Sequence, residues 1–168
     1  MTGNDTQKLH NQANPSLSQP SVLLATWFGA GYLPKAPGTW GSLAALPFAW
    51  LIMTYSGPWM LLGATCGVFL VGIWAANGYM KRSGNHDPGP VVIDEVAGQW
   101  MTLILVPVDL SYYVLGFVLF RLADIFKPWP ASWADKKVDG GIGVMLDDIL
   151  AAFYSGGILY LMYRMEVI

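Results

Sequence analysis

The sequence predicts an all-α fold, a multi-helix integral membrane bundle of about five apolar helices joined by polar loops. Hydrophobic residues make up 54% of the 168-residue chain and charged residues only 12%, which is about half the charged share of soluble domains. No charged residue occurs between Ala36 and Met80, a segment long enough for two membrane crossings of about 20 residues each. The formal net charge of −2 gives no indication of nucleic-acid binding.

The N-terminal segment differs from the rest of the chain. Residues 1–21 are polar and rich in Asn, Gln, Ser and Pro, and they lack the basic start and apolar centre of a signal peptide. We interpret them as a disordered cytoplasmic tail, which leaves residues 22–168 as one helical membrane domain. The single cysteine, Cys66, lies in an apolar run, so neither a disulfide framework nor a CxxC metal site is expected.

The uncharged segment divides at a Tyr-Ser-Gly-Pro sequence, residues 55–58, which is typical of a turn. We expect a first helix from about Ser42, which would serve as its N-cap, to Tyr55. A second helix is predicted from Pro58 to Tyr79 and is the clearest membrane span in the chain.

Three further helices are predicted in shorter apolar segments. The third covers about 94–109, the fourth about 111–126, and the last about 147–163, after a polar segment over 127–143. The third and fourth helices are short for a complete crossing, so we expect their polar ends to lie in the membrane interface.

The basic residues predict the orientation of the bundle. If the five helices alternate in direction, nearly all Lys and Arg side chains of the helical domain fall on one side, and Arg164 falls on the other. Loops rich in Lys and Arg stay on the cytoplasmic side of a membrane, and nearly all the acidic residues share that side. The basic residues in question are Lys35, Lys81, Arg82, Arg121, Lys127, Lys136 and Lys137.

Two pairs of adjacent acids, Asp94-Glu95 and Asp147-Asp148, are each predicted to open an apolar helix. Helix capping is one explanation, because a carboxylate near a helix N-terminus contributes about 0.3–1 kcal/mol. Two adjacent acids exceed what capping needs, so we favour metal binding. Hard oxygen ligands suit Mg²⁺, with Mn²⁺ as the other option, and disfavour zinc. Asp87 is either part of an Asp-Pro turn or a further metal ligand.

Several cations are candidates for holding a phosphate group. Arg121 and Asp124 are three residues apart on one helical face, where they form either a local ion pair or a phosphate clamp oriented by the aspartate. Lys127 and Lys35 either add positive charge for an anionic headgroup or only set the orientation. Thr39 lies in a Gly-rich loop whose backbone N–H groups suit a phosphate.

The remaining polar residues have simpler interpretations. Asp109 is predicted to cap a helix on the opposite face. Asp135 and Asp139 are taken as solvated loop charges because Lys136 and Lys137 accompany them. His86 is taken as an ordinary loop residue.

Four segments in order resemble the motifs of the phosphatidylglycerophosphatase A family. They are PGTWGSLAALP, DPGPVVIDEVAGQW, FRLADIFKPWP and DGGIGVMLDDILAA. The resemblance extends from about Leu24 to Leu161 and omits the N-terminal tail.

This resemblance implies an all-helical, Mg²⁺-dependent lipid phosphatase of the bacterial inner membrane. It would act on an anionic phospholipid substrate, removing the terminal phosphate of phosphatidylglycerophosphate to give phosphatidylglycerol, and it implies no protein partner. The catalytic and metal-binding acids would be Asp94, Glu95, Asp147 and Asp148. Thr39, Asp87, Arg121, Asp124 and Lys127 fall in the other motif segments.

Two other functions fit parts of the pattern. DGGIGVMLDD is faintly similar to the spaced aspartates of CDP-alcohol phosphotransferases, but the Asp-Gly-x-x-Ala-Arg opening of that motif is absent. A small non-enzymatic transporter would also carry membrane carboxylates, since such groups line ion paths. The predicted position of the acids at helix ends, rather than in the middle of a span, argues against a path.

Overall fold

The computed structural model describes residues 14–86 and 88–167, and every regular element in that part of the chain is helical. The all-α prediction is therefore confirmed. The helices are α1 (Pro20–Ala25), α2 (Pro37–Ser83), α3 (Ile93–Leu103), α4 (Leu110–Phe126), α5 (Ala131–Lys137) and α6 (Gly140–Arg164), with a 3₁₀ turn at Ala30–Tyr32. Residues 1–13 of the predicted tail lie outside the described residues, and α1 begins inside the predicted boundary at residue 21.

Helix α2 is a hairpin of two arms that reverses direction at Gly57. Gly57 has φ 78° and ψ −177°, in the positive-φ range that glycine adopts readily and other residues do not. Gly41 lies against Val92 and Gly72 lies against Ile93, whereas a straight helix would separate the two glycines by about 46 Å at 1.5 Å per residue. The turn predicted at residues 55–58 is therefore present.

The N-terminus of α2 lies before the predicted one. The helix begins at Pro37, because proline suits the first helical turn, where its missing N–H has no partner to lose. The prediction of an N-cap at Ser42 is therefore wrong. Ser42 is fully buried inside the helix, and its Oγ donates a hydrogen bond of 3.0 Å to the carbonyl oxygen of Gly38.

Two helices in the described part of the chain are long and apolar enough to cross a membrane, α2 and α6. These are fewer than the about five apolar helices of the predicted bundle, of which the third and fourth were expected to be short for a crossing. Helices α3 and α4 have 11 and 17 residues, or about 17 and 26 Å, against about 30 Å of hydrocarbon. Helix α3 ends at Leu103, earlier than predicted, because the nearby Pro107 cannot continue helical hydrogen bonding.

Helix α3 is the centre of the molecule, and it packs against α2, α4 and α6. Eight of its side chains are buried: Ile93, Val96, Ala97, Gly98, Gln99, Trp100, Thr102 and Leu103. Trp100 Nε1 donates to the carbonyl oxygen of Ala45 in α2 at 2.9 Å, and the hydroxyls of Thr102 and Ser155 in α6 lie 2.8 Å apart. The contacts with α2, α4 and α6 hold α3, including its first turn, in a fixed position.

Helix α6 begins at Gly140, well before the start predicted at Asp147. The predicted polar segment over 127–143 thus contains α5 and the first turn of α6. Asn77 of α2 accepts a hydrogen bond of 2.9 Å from the backbone N–H of Gly141. This contact holds the first turn of α6 against the end of the second α2 arm, where glycine propensity alone would disfavour a helix.

Candidate active site

The two acidic pairs occupy different positions on their helices. Asp94 and Glu95 lie in the first turn of α3, as predicted. Asp147 and Asp148 lie two turns inside α6, whose first turn contains no acidic residue. Carboxylates stabilise helix N-termini only within the first turn, so capping does not explain the second pair.

Three carboxylates from these pairs meet and form a group that we call the acidic trio: Asp94, Glu95 and Asp148. One oxygen from each lies within 4.8 Å of the others. Each residue also has a buried oxygen without a hydrogen-bond partner, namely Asp94 Oδ1, Glu95 Oε2 and Asp148 Oδ2. Burying a carboxylate oxygen without a partner costs free energy, and a bound cation would satisfy all three.

Asp147 turns away from the acidic trio. Its Oδ2 accepts a hydrogen bond of 2.6 Å from Lys127 Nζ, and its Oδ1 accepts one of 3.0 Å from the backbone N–H of Asp148. Lys127 also pairs with Asp135 of α5. Lys127 was predicted to bind a headgroup, but in the structure two carboxylates already contact its ammonium group.

Arg121 and Asp124 of α4 stand on the other side of the acidic trio. Arg121 Nη1 lies 2.6 Å from Asp124 Oδ2 and 3.7 Å from Glu95 Oε1, and it donates to Ser42 Oγ at 3.4 Å. The Arg121 side chain is only 14% exposed. The local ion pair is thus present, and Arg121 in addition joins α4 to α2 and α3.

The first turn of α2 approaches the acidic trio through its backbone more closely than through its side chains. Gly38 lies so close to Glu95 Oε1 and Arg121 Nη1 that a Cβ at this position would overlap both. Thr39, beside it, is half-buried, and Lys35 is exposed. Neither Thr39 nor Lys35 lines the cavity at the acidic trio, so the structure does not place these two predicted phosphate ligands at the carboxylates.

A polar cavity of about 660 Å³ opens at these side chains. It is lined by Asp94, Glu95, Asp124, Lys127, Asp147 and Asp148 among the predicted residues, together with His86, Asp135 and Asp139. Asp87, predicted as a further metal ligand, lies outside the described residues. In the described part of the chain, the carboxylates around the cavity outnumber the cations that contact them.

The model of the family described as phosphatidylglycerophosphatase A matches residues 23–163. The chain belongs to the phosphatidylglycerophosphatase A family. It is similar to phosphatidylglycerophosphatase A of Escherichia coli, with 45% identity over 86% of this chain and 84% of the relative. It is also similar to phosphatidylglycerophosphatase A of Haemophilus influenzae, with 38% identity over 83% of this chain and 86% of that protein.

A third relative has a different, provisional name. It is a protein of Bacteroides thetaiotaomicron named as a phosphatidylinositol-3-phosphatase, 39% identical over 80% of this chain and 87% of its own length. No solved structure matches the chain. The residues that match the family model include every side chain of the polar cavity.

Few positively charged side chains contact the cavity carboxylates of this phosphatidylglycerophosphatase A family member. Asp94 and Glu95 lie outside the two helices that could span a membrane. Burial, followed by the charge of Glu95, raises the pKa of Asp94 well above its ordinary value. Burial raises the pKa of Glu95 to about 8, and the hydrogen bond with Asp94 and the charge of Arg121 only partly oppose that rise. A divalent cation would favour the ionised form of both groups.

The donor set fits Mg²⁺ or Mn²⁺. All three groups of the acidic trio are carboxylates, which are hard ligands. Mg²⁺ is commonly bound through a few carboxylates together with waters and a substrate phosphate. The polar cavity beside the acidic trio leaves room for those additional ligands.

The charge pattern of the sequence did not reveal three residues of the cavity wall: His86, Asp135 and Asp139. Asp135 reaches the cavity because α5 turns the chain back toward α6, and Lys127 then contacts it. Lysines beside an aspartate usually indicate a solvated surface, and nothing in the local sequence distinguishes this case. Asp109, by contrast, caps α4 as predicted, accepting a hydrogen bond of 2.8 Å from Ser111 N–H.

Proposed function

We propose that this protein is a Mg²⁺-dependent phosphatidylglycerophosphatase that releases phosphate from phosphatidylglycerophosphate and leaves phosphatidylglycerol. The observation that carries the proposal is the acidic trio, in which each carboxylate has a buried oxygen without a partner, in a chain of this family. Phosphate monoesters hydrolyse very slowly without catalysis, so a site for them must neutralise much negative charge.

Asp94, Glu95 and Asp148 are the residues that would hold the metal. When bound there, Mg²⁺ would supply charge neutralisation for the phosphoryl oxygens. The three side chains come from two helices that pack on each other, α3 and α6, so little reorganisation is needed to form the site.

Asp147 is the carboxylate best placed to move a proton. It lines the same cavity but stands apart from the acidic trio, held by Lys127. In the proposed reaction Asp147 accepts a proton from the attacking water while the new oxygen–phosphorus bond forms. The phosphorus–oxygen bond to the glycerol breaks, and Asp147 returns the proton to the departing oxygen.

Arg121 of α4 provides a positive charge next to the carboxylates of Asp124 and Glu95. Its Nη1 contacts Asp124, Ser42 and Glu95, whereas its Nε is buried without a hydrogen-bond partner. The role that we assign to Arg121, which does not itself line the polar cavity, is to hold Glu95 in the acidic trio and to tie α4 to Ser42 of α2. Asp124 orients the guanidinium for both.

A membrane location with the polar cavity on the cytoplasmic side forms part of the proposal. We infer a multi-pass protein of the bacterial inner membrane, in which the two α2 arms and α6 cross and α3 and α4 fill the bundle. The reversal at Gly57 and the contacts of Gly38, Asn77 and Lys127 support it, because they bring the basic loops to one end. The basic residues at that end are Lys35, Lys81, Arg82, Arg121, Lys127, Lys136 and Lys137. Positive loops favour the cytoplasmic side.

The test is phosphate release by the purified protein in detergent micelles, with phosphatidylglycerophosphate as substrate. We expect release with Mg²⁺, loss of release with EDTA, and recovery when Mg²⁺ or Mn²⁺ is returned. Phosphatidylinositol 3-phosphate belongs in the same assay because of the third relative, and faster turnover of that lipid would overturn the assigned headgroup. Release that continues unchanged in EDTA would overturn the metal requirement.

The two other functions predict different assay results. A CDP-alcohol phosphotransferase would release CMP from a CDP-linked lipid, and a transporter would move ions into vesicles. Either result without phosphate release would replace the proposed function.

A further inference from the structure

A second cavity lies toward the other end of the bundle, and none of the described residues that line it is charged. Its volume is about 710 Å³, within the range of small-molecule sites. The α2 turn, the end of α3 and the outer half of α6 form its walls, including Met53, Trp59, Met101, Leu105, Phe153 and Gly157. We call this cavity the apolar groove.

The apolar groove continues the helix faces that hold the carboxylates. On α3, Met101 follows Asp94 by seven residues, and on α6, Ala152 follows Asp148 by four. Residues at these spacings share one face of a helix. The acidic trio and the apolar groove are therefore two parts of one α3–α6 interface, with the polar part at the helix starts.

The length of the apolar groove fits one hydrocarbon chain. Along α6, Ala152 lies about 6 Å and Tyr163 about 22 Å beyond Asp148, at 1.5 Å per residue. The groove therefore extends for about 16 Å along α6, close to the thickness of one leaflet, which is half of about 30 Å of hydrocarbon. The 6 Å before Ala152 leave space for a polar headgroup between the acidic trio and the chain.

The surface of the apolar groove is open and suits hydrocarbon. Trp59 is 83% exposed, and Leu105 and Phe153 are each 58% exposed. A Cβ at Gly157 would meet nothing within 4 Å, so this glycine leaves empty space on the groove wall. In the proposed membrane bundle this exposed apolar surface would contact lipid hydrocarbon, and the cavity there offers one chain a defined position.

We propose that the apolar groove binds an acyl chain of the phospholipid whose phosphate lies at the acidic trio. This inference rests on the proposed function and extends it from the headgroup to the lipid tail. The groove lies on the same two helices as the acidic trio, so one lipid molecule can occupy both.

Filling the groove tests the inference. Gly157→Leu places a side chain in the empty space, and we expect it to raise KM for dioleoyl phosphatidylglycerophosphate about tenfold, the order expected when a hydrophobic pocket is altered by a few methyl or methylene groups. The expected change in kcat is less than about twofold. The effect on the dihexanoyl form of the lipid should be much smaller, because its short chains do not fill the groove.

Gly67→Leu is the matched control. Gly67 is also exposed on an apolar helix, and a Cβ there likewise meets nothing within 4 Å, but Gly67 does not line the apolar groove. We expect Gly67→Leu to leave KM unchanged for both lipids. Equal KM values for dioleoyl lipid in wild type and Gly157→Leu would overturn the inference, as would equal losses on the long and short lipids.

A second measurement is independent of catalysis. Phosphatidylglycerophosphate with a diazirine in its acyl chain should label peptides from 101–107 and 152–163 after illumination, and Gly157→Leu should remove that labelling. The two proposals can fail separately. Labelling of these peptides without phosphate release would support acyl-chain binding in the apolar groove and overturn the proposed phosphatase activity.

Phosphate release with labelling confined to other helices would overturn acyl-chain binding in the groove and leave the phosphatase activity supported. A change in oligomeric state of Gly157→Leu without a change in KM would assign the groove to a second copy of the chain.

Discussion

The two acidic pairs look alike in the sequence but differ in the structure. Asp94 and Glu95 both belong to the acidic trio, whereas Asp147 and Asp148 divide, with Asp148 in the trio and Asp147 held by Lys127. Neighbouring residues on a helix point about 100° apart. Asp94 and Glu95 are also helical residues, and the longer glutamate side chain lets both reach one centre. Asp147 is instead held by Lys127.

This difference separates two tasks that four similar side chains would otherwise share. The acidic trio has unpartnered buried oxygens and suits a metal ion. Asp147 has a cationic partner and suits proton transfer. Four substitutions would break or sharpen the distinction.

The largest effect is expected for Asp148→Asn. Loss of one trio carboxylate should lower kcat by about a thousandfold or more, because metal-supported charge neutralisation is worth several kcal/mol. Binding of Mn²⁺, followed by electron paramagnetic resonance, should weaken in parallel. Asp109→Asn is the control, since Asn also caps helices well and Asp109 stands outside the polar cavity. Retained Mn²⁺ binding in Asp148→Asn would place the metal elsewhere.

Asp147→Asn should separate the two tasks. We expect kcat to fall about a hundredfold, the order of general acid–base catalysis, with little change in the dissociation constant for Mn²⁺. The asparagine keeps the size of the side chain and still has an oxygen for Lys127. If metal binding weakens as much as in Asp148→Asn, Asp147 belongs with the metal ligands and the distinction fails.

Lys127→Gln should have a smaller effect through Asp147. Removing a group that orients a catalytic side chain costs about tenfold in similar sites. In the double variant Lys127→Gln/Asp147→Asn, the losses should not multiply, because Lys127 acts through the Asp147 carboxylate, which Asp147→Asn already removes. Full multiplication of the two losses would show that Lys127 acts independently, for example directly on the phosphate.

The smallest effect is expected for Asp109→Ala. This acid is a helix cap, and its loss should lower the free energy of unfolding by about 1 kcal/mol. Phosphate release per folded molecule should stay at the wild-type rate. A large fall in activity would mean that the capping acid and the cavity acids are not separate in function.

Several features could be predicted because their signals are local. Gly and Pro identified the turn at Gly57, and doublets of carboxylates in an apolar chain identified the residues that meet in the acidic trio. Asp109 was recognisable as a cap from its position before an apolar run. Each of these signals depends on a few adjacent residues and on chemistry that does not require the fold.

The rest depended on contacts between distant residues. The glycines before Asp147 disfavour a helix by propensity, but Asn77 anchors that turn from another helix. Asp135 enters the cavity wall only because α5 turns the chain, and Asp147 leaves the acidic trio only because Lys127 is near. Helix α3 was predicted to be short for a crossing and ends earlier still, because other helices surround it and it does not need the length of a membrane span.

The reversal at Gly57 has a consequence for the whole topology. The chain leaves the cavity end along one α2 arm and returns along the other, so Gly38 and Asn77 belong to the same end although 38 residues lie between them in the sequence. If α2 crossed the bundle once or three times instead of twice, every later motif would lie at the end opposite the polar cavity. Because this hairpin crosses the bundle twice, segments that are far apart in the sequence can line the same polar cavity. No single hydrogen bond or ion pair has that effect.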